Sequence, residues 1–189
     1  MTATHDWNLT ADLPSVGSNA GLEAITWVPD SFLVASGFVD ESTSQPYNPA
    51  LYPNHGAGLI FVGLEGNGGI YAYALDHATA GAYHRVASIK SGQGVIMDLA
   101  FDRDVGNLWA YCDNGCANKA TVLRVVGGHF TLERFIQRPT GLPDSNNEGI
   151  AIAPEAACQN GKKSFFWADD SFAGGHAIRQ GSLFCGPIF

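Results

Sequence analysis

Basic residues are scarce in this sequence. Only 10 lysines and arginines stand against 18 aspartates and glutamates in 189 residues, a formal net charge of −8. That balance excludes nucleic acid as a partner, because affinity for its phosphates depends on clustered Lys and Arg. It also disfavours unaided binding of a multiply charged phosphate; cations and neutral or basic ligands suit the surface better. No apolar run is long enough to cross a bilayer, and no long stretch keeps a helical period. There is no G-x-S-x-G elbow and no H-E-x-x-H, and the six histidines are scattered. Gly161-Lys162-Lys163-Ser164 imitates the end of a phosphate-binding loop, but Ala156 stands where its first glycine belongs. Gly66-Asn67-Gly68-Gly69 reads as a hairpin turn. The polar opening, Met1 to Asp6, cannot be the apolar core of a secretion signal.

What the chain does have is punctuation. Its 23 glycines and 9 prolines separate short runs of Val, Ile and aromatic residues, the pattern of an all-β fold. The length suits a single domain with a sizeable core. One phrase recurs: an acid, a short strand, a turn, a second strand. It reads Glu23 to Trp27 then Phe32 to Ser36, Asp98 to Phe101 then Leu108 to Asp113, and Glu148 to Ile152 then Phe165 to Asp170.

Recurrence at this scale predicts radially repeated sheets, a partial β-propeller of about three four-stranded blades. The expected blades span residues 22–90, 95–137 and, incompletely, 148–185. Residues 6–14 are expected as a stray strand left from a preceding blade. In the first blade the strands are placed near 22–28, 32–38, 58–63 with 69–75, and 83–89. A long loop, Val39 to Ala57, carries Pro46, Pro49 and Pro53 with Tyr47, Tyr52 and His55. Loops of that length in compact domains are often functional; a surface excursion is the other reading. Trp27, Trp109 and Trp167 are expected in the core.

In a propeller the first strand of each blade lines the channel, so Glu23, Asp98 and Glu148 would gather at one mouth. Asp113, Asn114, Asp169 and Asp170 would end second strands there, with His55 and His176 in nearby loops. Like charges that close repel unless protonated or bridged by a cation. Oxygen-only clusters suit Ca²⁺. Glu23, Asp98, Glu148 and Asp169 are therefore the candidate metal ligands, and Asp113 and His176 the candidate proton carriers. The plainer reading is that such acids cap backbone N–H groups and tie blades together.

Four cysteines fall into two groupings, Cys112 with Cys116 and Cys158 with Cys185. Two disulfides are expected, which would place the protein in a secreted or periplasmic compartment. Four reduced cysteines in a cytosolic protein is the alternative.

Gly21-Leu22-Glu23-Ala24-Ile25, Asn147-Glu148-Gly149-Ile150-Ala151, Phe166-Trp167-Ala168-Asp169-Asp170-Ser171 and the run Gly174 to Leu183 together resemble the phytase-like (esterase-like activity of phytase) propeller proteins of bacteria. The resemblance implies a six-bladed or similar ring, of which this chain would be the C-terminal half. It also implies export and a calcium-assisted hydrolase acting on an ester or phosphoester. The basic residues with which alkaline propeller phytases hold phosphate are few here. A non-catalytic propeller that binds a ligand, glycan or protein partner is the other expectation, and an inactive fragment a third. Self-association or blades outside this chain would complete the ring.

Overall fold

A computed structural model of the chain describes residues 2–170 and 173–186. Strand β1 (Leu22–Pro29) leads into a short helix, α1 (Asp30–Ala35), and a small hairpin, β2 (Val39–Asp40) and β3 (Gln45–Pro46). Then come β4 (Gly58–Leu64), β5 (Gly69–Leu75) and β6 (Tyr83–Lys90), and β1-β4-β5-β6 form the first large sheet. The second, β10-β9-β8-β7, is made from β7 (Asp98–Asp102), β8 (Asn107–Tyr111), β9 (Ala120–Val126) and β10 (His129–Ile136). The third has three strands, β11 (Asn147–Ile152), β12 (Lys162–Asp169) and β13 (Ile178–Phe184). The chain is all-β, with four antiparallel sheets that do not close on one another.

Alternation along the strands explains the layering. In β4, Leu59 and Phe61 face the second sheet, while Ile60, Val62 and Leu64 face the other way. The first core joins those two β4 residues to Ile70, Leu108, Leu123 and Phe130. A second core lies between the second and third sheets, built on Trp109, Val122, Phe165 and Trp167. Each fully buried large apolar side chain contributes about 1.5–3 kcal/mol. Trp109 and Trp167 meet the core expectation; Trp27 is half-buried under the Arg103 guanidinium, 4.7 Å from its ring centre.

The first strands of the three large sheets are neighbours, with β7 between β1 and β11. Two side chains tie them. Thr26 Oγ1 accepts the Phe101 N–H at 3.2 Å, and Asp98 Oδ2 accepts the Ile150 N–H at 2.7 Å.

Two local expectations are corrected. Residues 32–38 are not a strand: Asp30–Ala35 is helical, and Ser36 N–H returns to the Phe32 carbonyl. A short apolar run cannot by itself tell helix from strand. Here Pro29 ends β1, and only Leu33 of the helix is buried while its neighbour Val34 is exposed. The second strand of the first sheet is therefore β4. Residues 6–14 form no strand either. Leu9, Leu13 and Val16 are spaced by four and three, and a turn at Thr10–Leu13 lets them pack on Val62, Leu64, Tyr71 and Tyr73. Asp12 anchors this segment by accepting the Tyr73 hydroxyl at 2.7 Å.

The first correction relocates the long loop. Leu22 pairs with Leu64 and Pro29 with Gly58, so the loop and His55 lie at the end of the sheet opposite Glu23. The loop is largely exposed, but Asp40 and Tyr47 are buried within it, and His55 is 7% exposed. Both expected disulfides are present, Cys112–Cys116 and Cys158–Cys185. They point to an oxidising, extracellular compartment. Among the described residues no helix is long and apolar enough to cross a membrane.

Candidate functional site

The end of the sheets that carries Glu23 is built from tight turns. The turn Glu65–Asn67 folds back on the segment before β1: Glu65 N–H donates to the Gly21 carbonyl and Gly66 N–H to that of Ala20. Gly68 closes it at φ 62°, where a Cβ would stand 2.0 Å from the Gln93 carbonyl oxygen, so only glycine fits. Glu65 thereby joins Glu23 at one end. In the second sheet Asp113 caps a short turn, its Oδ1 accepting the Gly115 N–H at 2.8 Å, and Asn114 is exposed in that turn. In the third, the Asn146 amide bridges two acids, donating to Glu148 Oε1 at 2.8 Å and to Asp170 Oδ1 at 3.0 Å.

These carboxylates sense one another. Partial burial, then the charges of Glu23 and Asp113, push Glu65 above the usual carboxylate range. Partial burial and the charge of Asp170 push Glu148 up; the Asn146 hydrogen bond opposes this, and Glu23 and Asp113 add to it. Five acids from three sheets, Glu23, Glu65, Asp113, Glu148 and Asp170, thus share one electrostatic environment.

The other expected ligands are engaged elsewhere. Asp98 Oδ1 accepts the Leu99 N–H and its Oδ2 the Ile150 N–H, both at 2.7 Å. Burial raises its pKa and these two bonds work against that rise. Asp169, 4% exposed, is paired with Arg179 at 2.9 Å. His176 is exposed on the loop before β13. Ser171, which follows Asp169 and Asp170 at the end of the third sheet's second strand, lies outside the described residues.

Calcium demands six to eight oxygens in a tolerant geometry. Glu23 and Glu148 offer exposed carboxylates, and Glu65 and Asp170 extend the set. Among the described residues one group of three metal-ligating side chains brings its atoms within 4.8 Å of one another: Cys112, Asp113 and Cys116. Its two sulfurs are joined in a disulfide, which leaves only the carboxylate as a donor. The acids therefore gather at one end of the sheets at wider spacing than a finished coordination shell.

Sequence reasoning missed the buried polar groups. Lys163, dismissed with the imitation phosphate loop, is 3% exposed and reaches Asp102 and Glu155 at 2.6 Å each, tying the third sheet to the second. Burial alone would lower its pKa, but the bonds to Asp102 and Glu155 outweigh that and hold it up. At the far end of the first sheet, Asp30 accepts the Tyr47 hydroxyl at 2.8 Å and meets His55 Nε2 at 3.1 Å. Tyr52 donates to Asp40 beside it. The only signal in the sequence was the density of Tyr, His and Asp in one loop. Comparison of the chain with protein-family models, curated proteins and solved structures returns no match.

Proposed function

We propose that this chain supplies three blades of a phytase-like propeller and that the acidic mouth draws a divalent cation, Ca²⁺ for preference, into a site for ester or phosphoester hydrolysis. The observation that carries the reading is the shared environment of Glu23, Glu65, Asp113, Glu148 and Asp170, contributed by three sheets whose first strands are neighbours. A cation relieves such like-charge crowding, and when bound it polarises a substrate oxygen and lowers the pKa of bound water. Glu23 and Glu148 are the proposed ligands. Asp98 and Asp169, with their oxygens engaged by backbone and Arg179, hold the strands that present them. Asp113 and exposed His176 are the proposed proton carriers.

Calcium titration by calorimetry tests the cation, and turnover of p-nitrophenyl esters and p-nitrophenyl phosphate with Ca²⁺ or chelator tests the chemistry. Saturable Ca²⁺ binding that disappears in Glu23→Gln/Glu148→Gln, with metal-dependent turnover, is expected. Binding that survives the double substitution removes the proposed ligands, and turnover indifferent to chelator removes the metal-assisted mechanism.

A further inference from the structure

The far end of the first sheet, opposite the acidic mouth, holds a second concave site. A cavity of about 150 Å³ opens there between the long loop and the β5–β6 connection. Its walls include Tyr52, Asn54 and His55 from the loop, Asp76 from the connection, and Tyr83 and His84 from the start of β6.

The walls are held from behind. Tyr52 donates its hydroxyl to buried Asp40, and Asp40 also accepts from Ser42 Oγ at 2.6 Å. Ser42 Oγ is in turn 2.9 Å from His84 Nε2. His55 is clamped between the Tyr52 carbonyl and Asp30. The Tyr52 and His84 rings lie 5.2 Å apart and are tilted by 34°. Asp76 is set by its own turn: Oδ1 accepts the Ala78 and Thr79 N–H groups at 2.7 and 2.8 Å, and Oδ2 meets the Asn54 amide at 3.2 Å. Positions locked in this way are organised before any ligand arrives.

Size and chemistry narrow the occupant. Pockets for drug-sized ligands run to roughly 300–1,000 Å³, so this one is too small for them. A cavity of about 150 Å³ does accept a six-membered ring such as benzene. This wall is not an apolar one, however. The Asp76 carboxylate and the Asn54 amide sit side by side, an acceptor next to a donor, which matches adjacent hydroxyl groups that each give and take a hydrogen bond. Aromatic rings and exposed Leu51 offer a flat apolar surface for the C–H face of the same ring.

We infer that this pocket binds a single neutral pyranose ring, a monosaccharide unit held by Asp76 and Asn54 at one edge and by Tyr52 and His84 on its face. The site is independent of the acidic mouth and needs no metal.

Chemical-shift mapping of the ¹⁵N-labelled chain in EDTA tests this, with glucose, galactose, N-acetylglucosamine and choline as separate probes. At least one sugar should shift the amides of residues 51–55 and 74–84 in a saturable way. Asn54→Ala and His84→Ala, both at exposed positions, should weaken that binding by roughly twofold to tenfold while leaving the rest of the spectrum in place. Sugar shifts confined to other surfaces, no saturable binding of any of the three sugars, binding of choline alone, or unaltered affinity in both variants would each overturn the inference.

Discussion

Asp98 and Ile150 are joined across two sheets: one carboxylate oxygen on the first residue of β7 accepts the backbone N–H of the middle of β11 at 2.7 Å. The other oxygen accepts the Leu99 N–H on its own strand. One side chain thereby keeps the second and third sheets in register near their acidic end. Replacing Asp98 with Ala leaves the partly buried Ile150 N–H without this acceptor and should cost about 1–3 kcal/mol, the cost of an unsatisfied buried group. Asp98→Asn keeps one acceptor oxygen and should cost less. Urea denaturation of the two variants checks the order; equal stabilities would mean that the tie contributes nothing.

The buried ammonium of Lys163 predicts a larger effect. Lys163→Met strands Asp102, whose side chain is 6% exposed, without its cation. Breaking a buried pair from one side costs about 3–5 kcal/mol, while replacing both partners by apolar groups is often neutral. Lys163→Met should therefore be much less stable than Lys163→Met combined with Asp102→Leu. A double variant as unstable as the single one would contradict this account of the site.

Glu148 predicts a pH dependence. Its folded pKa is raised, so the folded chain binds more protons than the unfolded one across the upper carboxylate range. The stability it confers is fully present below the unfolded pKa and is lost as pH rises through the folded one. Glu148→Gln removes that slope. At neutral pH the variant should match or exceed the parent, by at most about 0.5 kcal/mol as for other surface substitutions, and the advantage should vanish in acid. Thermal melts at pH 4 and pH 7 measure it. On the cation reading, added Ca²⁺ should raise the midpoint of the parent by mass action and that of Glu23→Gln/Glu148→Gln much less.

The two disulfides should differ in worth. Cys158–Cys185 closes a separation of 27 residues and Cys112–Cys116 one of 4. Chain-entropy reasoning assigns the longer loop about 3.6 kcal/mol and the shorter about 2. Paired serine substitutions compared by denaturant midpoint test the ranking.

Much of the strand layout was legible beforehand. β1, β4, β5 and β6 were anticipated to within about two residues of their ends, because apolar runs between Gly- and Asn-rich turns have few other ways to fold. The exception is instructive. Phe32, Leu33 and Val34 are as apolar as a strand, yet Pro29 and Asp30 begin a helix there. That single substitution of element carried the loop and His55 to the opposite end of the sheet from Glu23. The N-terminal segment shows the same ambiguity, since Leu9 and Leu13 could serve a strand or a turn until the sheet they cover is known.

The acids divide along a similar line. Sequence alone determined that Glu23, Asp98 and Glu148 begin strands, that the surface is acidic and how the four cysteines group, because these follow from local pattern and composition. Only the tertiary structure decided which acids stay exposed at the end of the sheets and which are consumed as ties. Asp98 is bound by Ile150, 52 positions away, Asp169 is paired with Arg179 across a hairpin, and Glu65 joins Glu23 through a turn that folds back on Gly21. A carboxylate's partners are set by which strands lie beside it, and that depends on how whole sheets pack rather than on neighbouring letters.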